Sequence, residues 1–252
     1  MTDLPDPIPA ATLILMRPGP AGAPELLMME RTKAMAFAPG ALVFPGGRID
    51  PDDVALADRI GEGIAYGAAR VAAIRETIEE AGIAPGVVPA PTPAQISQMR
   101  QELEDGTPFS VLLDTLGLGL DLEALMPFTR WCPTFKEARR FDTLFFVAEA
   151  PADAVLGAAQ QAEAVRTLWT TAQQVLEDTN AGRGRIIFPT RRNLERLARF
   201  ASVEEARADA ERHPVKKIVP WIEERDGLQW LCIPEGIGYP VTAELLETAR
   251  RT

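Results

Sequence analysis

The seven residues R-E-T-I-E-E-A, Arg75 to Ala81, put three carboxylates and one guanidinium into a stretch that otherwise reads as apolar helix. From Tyr66 to Ala81 the spacing is helical, with Ala69, Ala72, Ala73, Ile74 and Ile78 forming a stripe to be buried and Gly82 supplying the stop. On that helix Glu79 and Glu80 follow Glu76 by three and four positions and return to its side. Like charges so placed cost a few tenths of a kcal/mol each, roughly, in an isolated helix. A solvated outer face is the ordinary outcome of such a cluster. The alternative is compensation by a hard divalent cation that takes oxygen ligands, Mg²⁺ or Mn²⁺, held by Glu76, Glu79 and Glu80.

The flanking residues favour the second outcome. F-P-G-G-R-I-D at 44–50 reads as a strand running into paired glycines, and the helix ends at A-G-I. Together Gly46, Gly47, Arg75, Glu76, Glu79, Glu80, Gly82 and Ile83 resemble the signature of the Nudix hydrolases. The resemblance implies an α/β/α sandwich with a mixed sheet that hydrolyses a nucleoside diphosphate joined to another moiety. It gives Glu76, Glu79 and Glu80 the metal role and makes Arg75 and Gly82 structural, Arg75 pairing with a carboxylate to tie loop to helix. Divalent cations in such a site neutralise the diphosphate and activate water, so no His, Ser or Cys nucleophile is needed.

The chain departs from that signature in three places. Gly47 to Arg75 spans 75 − 47 = 28 positions, longer than usual, so R-I-D-P-D-D-V-A-L-A-D-R-I-G-E-G-I is expected as an inserted loop. The position where the family carries a further glutamate is Gly67, leaving Glu62 or Asp50 as replacements, and the usually apolar position after Arg-Glu is Thr77.

Further segments resemble the coenzyme A and acyl-coenzyme A diphosphatases, the latter in the branch with a long insertion inside the signature. They are L-M-M-E-R-T-K-A-M-A-F-A-P-G-A-L-V-F-P-G-G before the helix, W-C-P-T-F-K-E-A-R-R-F-D-T-L-F-F-V-A after it, and the late F-P-T-R-R-N-L. This resemblance implies cleavage of coenzyme A or its acyl form to 3',5'-ADP and (acyl-)4'-phosphopantetheine. Arg31, Gly46, Gly47, Arg139 and Arg140 then become substrate-binding candidates, bidentate guanidinium groups suiting phosphates. Glu163 is the candidate base or additional catalytic carboxylate. Ala36, where the motif usually has an arginine, keeps open an ADP-ribose or NADH pyrophosphatase, and Gly67 keeps open a non-catalytic nucleotide sensor.

Positioning these groups requires a sheet. Apolar runs at 11–16, 25–31, 41–47, 125–131, 141–148 and 165–170 read as its strands. A Pro-rich connector at 84–93 leads to helices over Thr92–Leu103 and 109–116, and later helices are expected at 172–178, 190–200 and 202–212 before strand-like runs at 216–222 and 229–234. The economical plan is one domain over 1–252: a core at about 10–172, an insertion at 48–65, a helical insertion at 92–120 and an extension at 173–252.

Composition bounds the partners. Of 252 residues, 46% are hydrophobic and 25% charged, and 36 acidic against 26 basic residues give a net charge of −10. That balance opposes nucleic-acid binding and leaves room for a small nucleotide conjugate held by a few local arginines. Two separated cysteines make no disulfide framework or zinc motif, no run approaches 18 apolar residues, and the start lacks a signal, so a cytoplasmic protein without membrane attachment is expected. Many members of the family pair, which leaves a homodimer open.

Overall fold

The structure, a computed structural model, describes residues 6–20, 22–31, 40–61, 63–134, 140–152, 154 and 166–251. Its centre is β1 (Ile8–Arg17), whose A-A-T-L-I-L-M run is buried on both faces, as strands in a doubly covered sheet require. The first half of the chain adds β2 (Glu25–Glu30), β3 (Leu42–Val43), β4 (Gly46–Arg48), α1 (Pro51–Ile60) and α2 (Gly67–Ala81). It continues through β5 (Val87–Val88), α3 (Pro93–Glu104), α4 (Phe109–Leu116), β6 (Gly119–Leu120), β7 (Met126–Trp131) and β8 (Phe141–Glu149). There follow β9 (Arg166–Thr171), α5 (Ala172–Asn180), α6 (Phe188–Leu197), α7 (Val203–Arg212) and β10 (Lys217–Ile218). The C-terminal part holds β11 (Trp221–Arg225), β12 (Leu228–Cys232), β13 (Ala243–Leu245) and α8 (Leu246–Arg251).

Along the main sheet the order is β10-β7-β8-β1-β2-β3, with β4 also on β1 and β9 also on β2. β1 and β8 run parallel from Ile8↔Phe141 to Met16↔Glu149, and β10 is parallel to β7, while the other main-sheet pairs are antiparallel. The sheet is therefore mixed, as expected. Alternation along β1 sends Ala11, Leu13 and Leu15 into one apolar cluster with α2, and Ile14 and Met16 into another with α5, α6 and α7. Helices thus cover both faces, and the expected α/β/α sandwich is present. Among the described residues, no helix is long and apolar enough to cross a membrane.

Three expectations need correction. The run at 41–47 is two strands, because after Phe44 the chain leaves β2 for β1: β3 pairs with Met29 and Glu30, β4 with Ala10, Ala11 and Thr12. Pro45, which has no N–H to offer, marks the crossing and accepts from the Leu13 N–H instead. The insertion expected as a loop is the helix α1, with Pro51 at its first position and the Asp50 N–H donating to Asp53 Oδ2 at 2.8 Å. The run at 216–222 is divided as well, β10 extending the main sheet and β11 opening a separate three-stranded sheet.

The C-terminal segment is fastened by Tyr239, whose hydroxyl accepts from Trp131 Nε1 at 3.0 Å and donates to Asn193 Oδ1 at 2.7 Å. Its ring packs edge-on against Trp131. Tyr239→Phe keeps that packing and strands the buried indole N–H and amide oxygen, so it should lower stability by about 1–3 kcal/mol. Urea unfolding measures this. A variant indistinguishable from the parent would show that the hydroxyl is not a fastening.

Candidate active site

Why α2 lies where it does follows from its small residues. Ala69, Ala72, Ala73, Ile74 and Ile78 are all at most 2% exposed, so the expected stripe is the buried one. At the C-terminal end Gly82 takes φ 61° and its N–H returns to Ile78 O at 2.9 Å, a left-handed cap that favours glycine. Thr77 also fits a buried position, since its hydroxyl donates to Ala73 O at 2.7 Å. At Gly67 a Cβ would stand 3.2 Å from Ala57 Cβ, so the site of the missing glutamate is a close contact between α1 and α2.

The carboxylate that pairs with Arg75 comes from α1. Arg75 Nε and Nη2 donate to the two oxygens of fully buried Asp53 at 3.0 and 2.9 Å, and Nη2 also donates to Arg48 O at 2.9 Å. Asp50, a replacement considered from sequence, is 3.7 Å away with half its side chain exposed, and Glu62 lies outside the described residues. Burial alone would lower the Arg75 pKa, but the bonds and charges of Asp53 and Glu76 raise it above its ordinary value. The arginine is a fixed cation tying α1 and the β4 end to α2. Its partner was legible only in part: the D-P-D-D cap signal locates the start of α1, yet the contact with Arg75 spans 22 positions.

Arg75 also reaches the acid cluster. Its Nη1 donates to Glu76 Oε1 at 2.9 Å and lies 3.5 Å from Glu79 Oε2, while Glu80 Oε2 accepts from the Gly46 N–H at 2.9 Å. Burial, with the Glu79 charge adding and Arg75 opposing, pushes Glu76 up to about 7. Burial and the neighbouring Glu76 push Glu80 up to about 8 against the Gly46 N–H and the Arg31 charge. Glu79 is raised chiefly by burial as well. Four carboxylates, Asp53, Glu76, Glu79 and Glu80, thus meet the guanidinium of Arg75 and the charge of Arg31, which leaves the patch short of positive charge.

Paired glycines make this packing feasible. At Gly46 a Cβ would fall 2.4 Å from Ala11 O, and at Gly47 it would fall 2.3 Å from Glu76 Oε1. Gly47→Ala should therefore displace the Glu76 carboxylate and lower kcat/KM by about 10–100-fold, given the cost of a displacement near 1 Å in a catalytic group. Steady-state kinetics beside circular dichroism check it; a normal rate in a folded variant would remove Glu76 from the working geometry.

The remaining sequence candidates divide. Arg31, at the end of β2, is close enough for its charge to act on Glu80. Arg140 stands at the start of the β1–β8 ladder, its carbonyl accepting from Ile8 N, whereas Gly46 and Gly47 oppose Thr12 and Ala11 farther along β1. Arg139, Glu163 and Ala36 lie outside the described residues. Among the described residues, no three His, Cys, Asp or Glu side chains are gathered into a metal cage.

No protein-family model matches the chain. It is similar to the crystal structure of a Nudix hydrolase from Alicyclobacillus acidocaldarius, with 30% sequence identity and a TM-score of 0.68, covering 81% of this chain and 96% of that one. Among curated proteins it is 27% identical over 237 residues to an acyl-coenzyme A diphosphatase of Gallus gallus, covering 72% of this chain and 63% of that protein. Its identity to the acyl-coenzyme A diphosphatase of Homo sapiens is 26% over 249 residues, covering 75% and 64%. The chain thus spans less than two thirds of the length of these curated relatives.

Proposed function

Because the chain belongs to the Nudix hydrolase family, we propose that it hydrolyses the diphosphate of coenzyme A or an acyl-coenzyme A to 3',5'-ADP and (acyl-)4'-phosphopantetheine. The carrying observation is the α2 acid cluster, in which Arg75 serves Glu76 and Glu79 while Glu80 is held by the Gly46 N–H at the glycine edge. The relatives' names supply the substrate class.

Mg²⁺ or Mn²⁺ suits a donor set that is all oxygen and carries more negative charge than Arg75 and Arg31 offset; Glu76, Glu79 and Glu80 would hold it. The cation supplies charge neutralisation at the diphosphate and activation of water. Every other task falls to the chain. Arg75 orients Glu76 and Glu79, the Gly46 N–H fixes Glu80, and Gly47 leaves the space that Glu76 occupies. Arg31, Arg139 and Arg140 are proposed to bind phosphate oxygens. Glu163 is proposed to take the proton of the attacking water as its oxygen joins one phosphorus and the bridging P–O bond breaks, the electron pair leaving with the departing phosphate.

Product analysis tests the reading. Purified protein with Mg²⁺ or Mn²⁺ should convert coenzyme A or an acyl-coenzyme A to 3',5'-ADP, and Glu79→Gln should abolish the product. AMP from ADP-ribose or NADH, with coenzyme A untouched, would move the assignment to those conjugates. Nucleotide binding without any product would make the chain a sensor.

A further inference from the structure

A second guanidinium stands on the carboxylate side of the sheet, two strands from Arg31. The Arg31 N–H donates to Ala41 O at 3.0 Å, Ala41 makes a parallel bridge with Arg185, and the Leu42 N–H donates to Arg185 O at 2.7 Å. Arg31, Ala41 and Arg185 are therefore lateral neighbours on three adjacent segments. Leu42 and Ile186 belong to the apolar cluster under α5 and α6, so by alternation Ala41 and Arg185 face the opposite side. Leu27 belongs to the cluster under α2, and Arg31, four residues on, shares that side. All three residues thus present toward the face from which the Arg31 charge acts on Glu80. Two strand spacings separate the arginine backbones by about 9–10 Å, with the small, buried Ala41 between them.

The two arginines of this loop are in different states. Arg183 is tied to Asp178 at 2.6 Å, whereas Arg185 is exposed and has no ion pair among the described residues. Its backbone is nevertheless fastened to the sheet edge, and no described carboxylate neutralises its guanidinium. On a chain of net charge −10 such a cation beside an anion site will attract a further anionic group of the same ligand.

We infer that Arg185 is a specificity-determining residue that binds a phosphomonoester carried by the substrate beyond its diphosphate, the ribose 3'-phosphate in coenzyme A. This rests on the reading of the carboxylate face as the diphosphate site. A planar guanidinium suits a phosphate dianion bidentately, and a ligand lacking that phosphate would lose nothing at this position.

Calorimetry on the full chain with Mg²⁺, titrating 3',5'-ADP and AMP, tests the assignment without requiring turnover. The parent should bind 3',5'-ADP more tightly than AMP. Arg185→Ala should weaken 3',5'-ADP by about 10–100-fold, the usual worth of a charge-assisted hydrogen bond, and leave AMP unchanged. Arg185→Lys should recover part of the loss, and Arg183→Ala should change neither ligand. In turnover the same variant should raise KM for coenzyme A while sparing 3'-dephospho-coenzyme A and both kcat values. Equal loss for both nucleotides, or no preference in the parent, would overturn the assignment. If the preference depends on Arg185 but coenzyme A is not cleaved, the assignment stands and the hydrolase reading falls.

Discussion

Asp53→Ala is expected to destabilise the protein by about 3–5 kcal/mol, because it leaves the buried Arg75 guanidinium without its bidentate partner. For a chain of this size the melting temperature should fall by about 6–20 °C. The same change removes the acceptor of the Asp50 N–H, loosening the first turn of α1. Activity should fall further than stability explains, by about 10–100-fold, since Arg75 orients Glu76 and Glu79 and supporting residues of metal sites carry effects of that size. Asp50→Asn supplies the contrast: its carboxylate is half exposed and 3.7 Å from Arg75, so the loss should stay within about 1 kcal/mol. Thermal melts of the three proteins decide between them. Equal melting temperatures for Asp53→Ala and the parent would mean that another group carries the arginine's charge.

That prediction marks where sequence stops being legible. The α2 helix, its buried stripe, its glycine stop and the shared side of Glu76 and Glu79 about Arg75 could be read from spacing, because each depends on helical period and local termination. Strands β1, β2, β7, β8 and β9 were readable from apolar runs bounded by turn residues. The contact between Arg75 and Asp53 was not readable. It depends on α1 packing against α2 so closely that position 67 must be small, and a contact of that kind is settled by tertiary geometry. The division at Phe44 and Pro45 was hidden similarly, since one apolar run serves two neighbouring strands. Nothing in the spacing of Arg185 sets it beside Arg31; its bridge to Ala41, a contact across 185 − 41 = 144 positions, does.

Glu80→Gln should move stability and activity in opposite directions. The glutamate carboxyl is pushed up to about 8 chiefly by burial and by Glu76, so keeping it ionised opposes folding of the metal-free protein. The sign follows from proton binding. A carboxyl raised in the folded state leaves stability intact below its unfolded value near 4.5 and takes it away as pH rises toward 8. Glutamine keeps an oxygen for the Gly46 N–H and carries no charge, so the variant should match the parent near pH 5. By pH 8 it should exceed the metal-free parent by an amount on the order of 3 kcal/mol. Mg²⁺ should close that gap by stabilising the parent alone, since a ligand bound by the folded state adds stability, and its affinity should weaken as pH falls and protons compete for Glu76 and Glu80. Turnover should fall by at least about 100-fold, as for loss of one principal electrostatic group. Melting curves at pH 5 and 8, with and without Mg²⁺, beside a turnover assay, measure every part. A variant less stable than the metal-free parent at pH 8 would show that the Glu80 charge is already compensated within the fold. The acid cluster would then need no cation, and the reading of α2 as the metal helix would lose its physical basis.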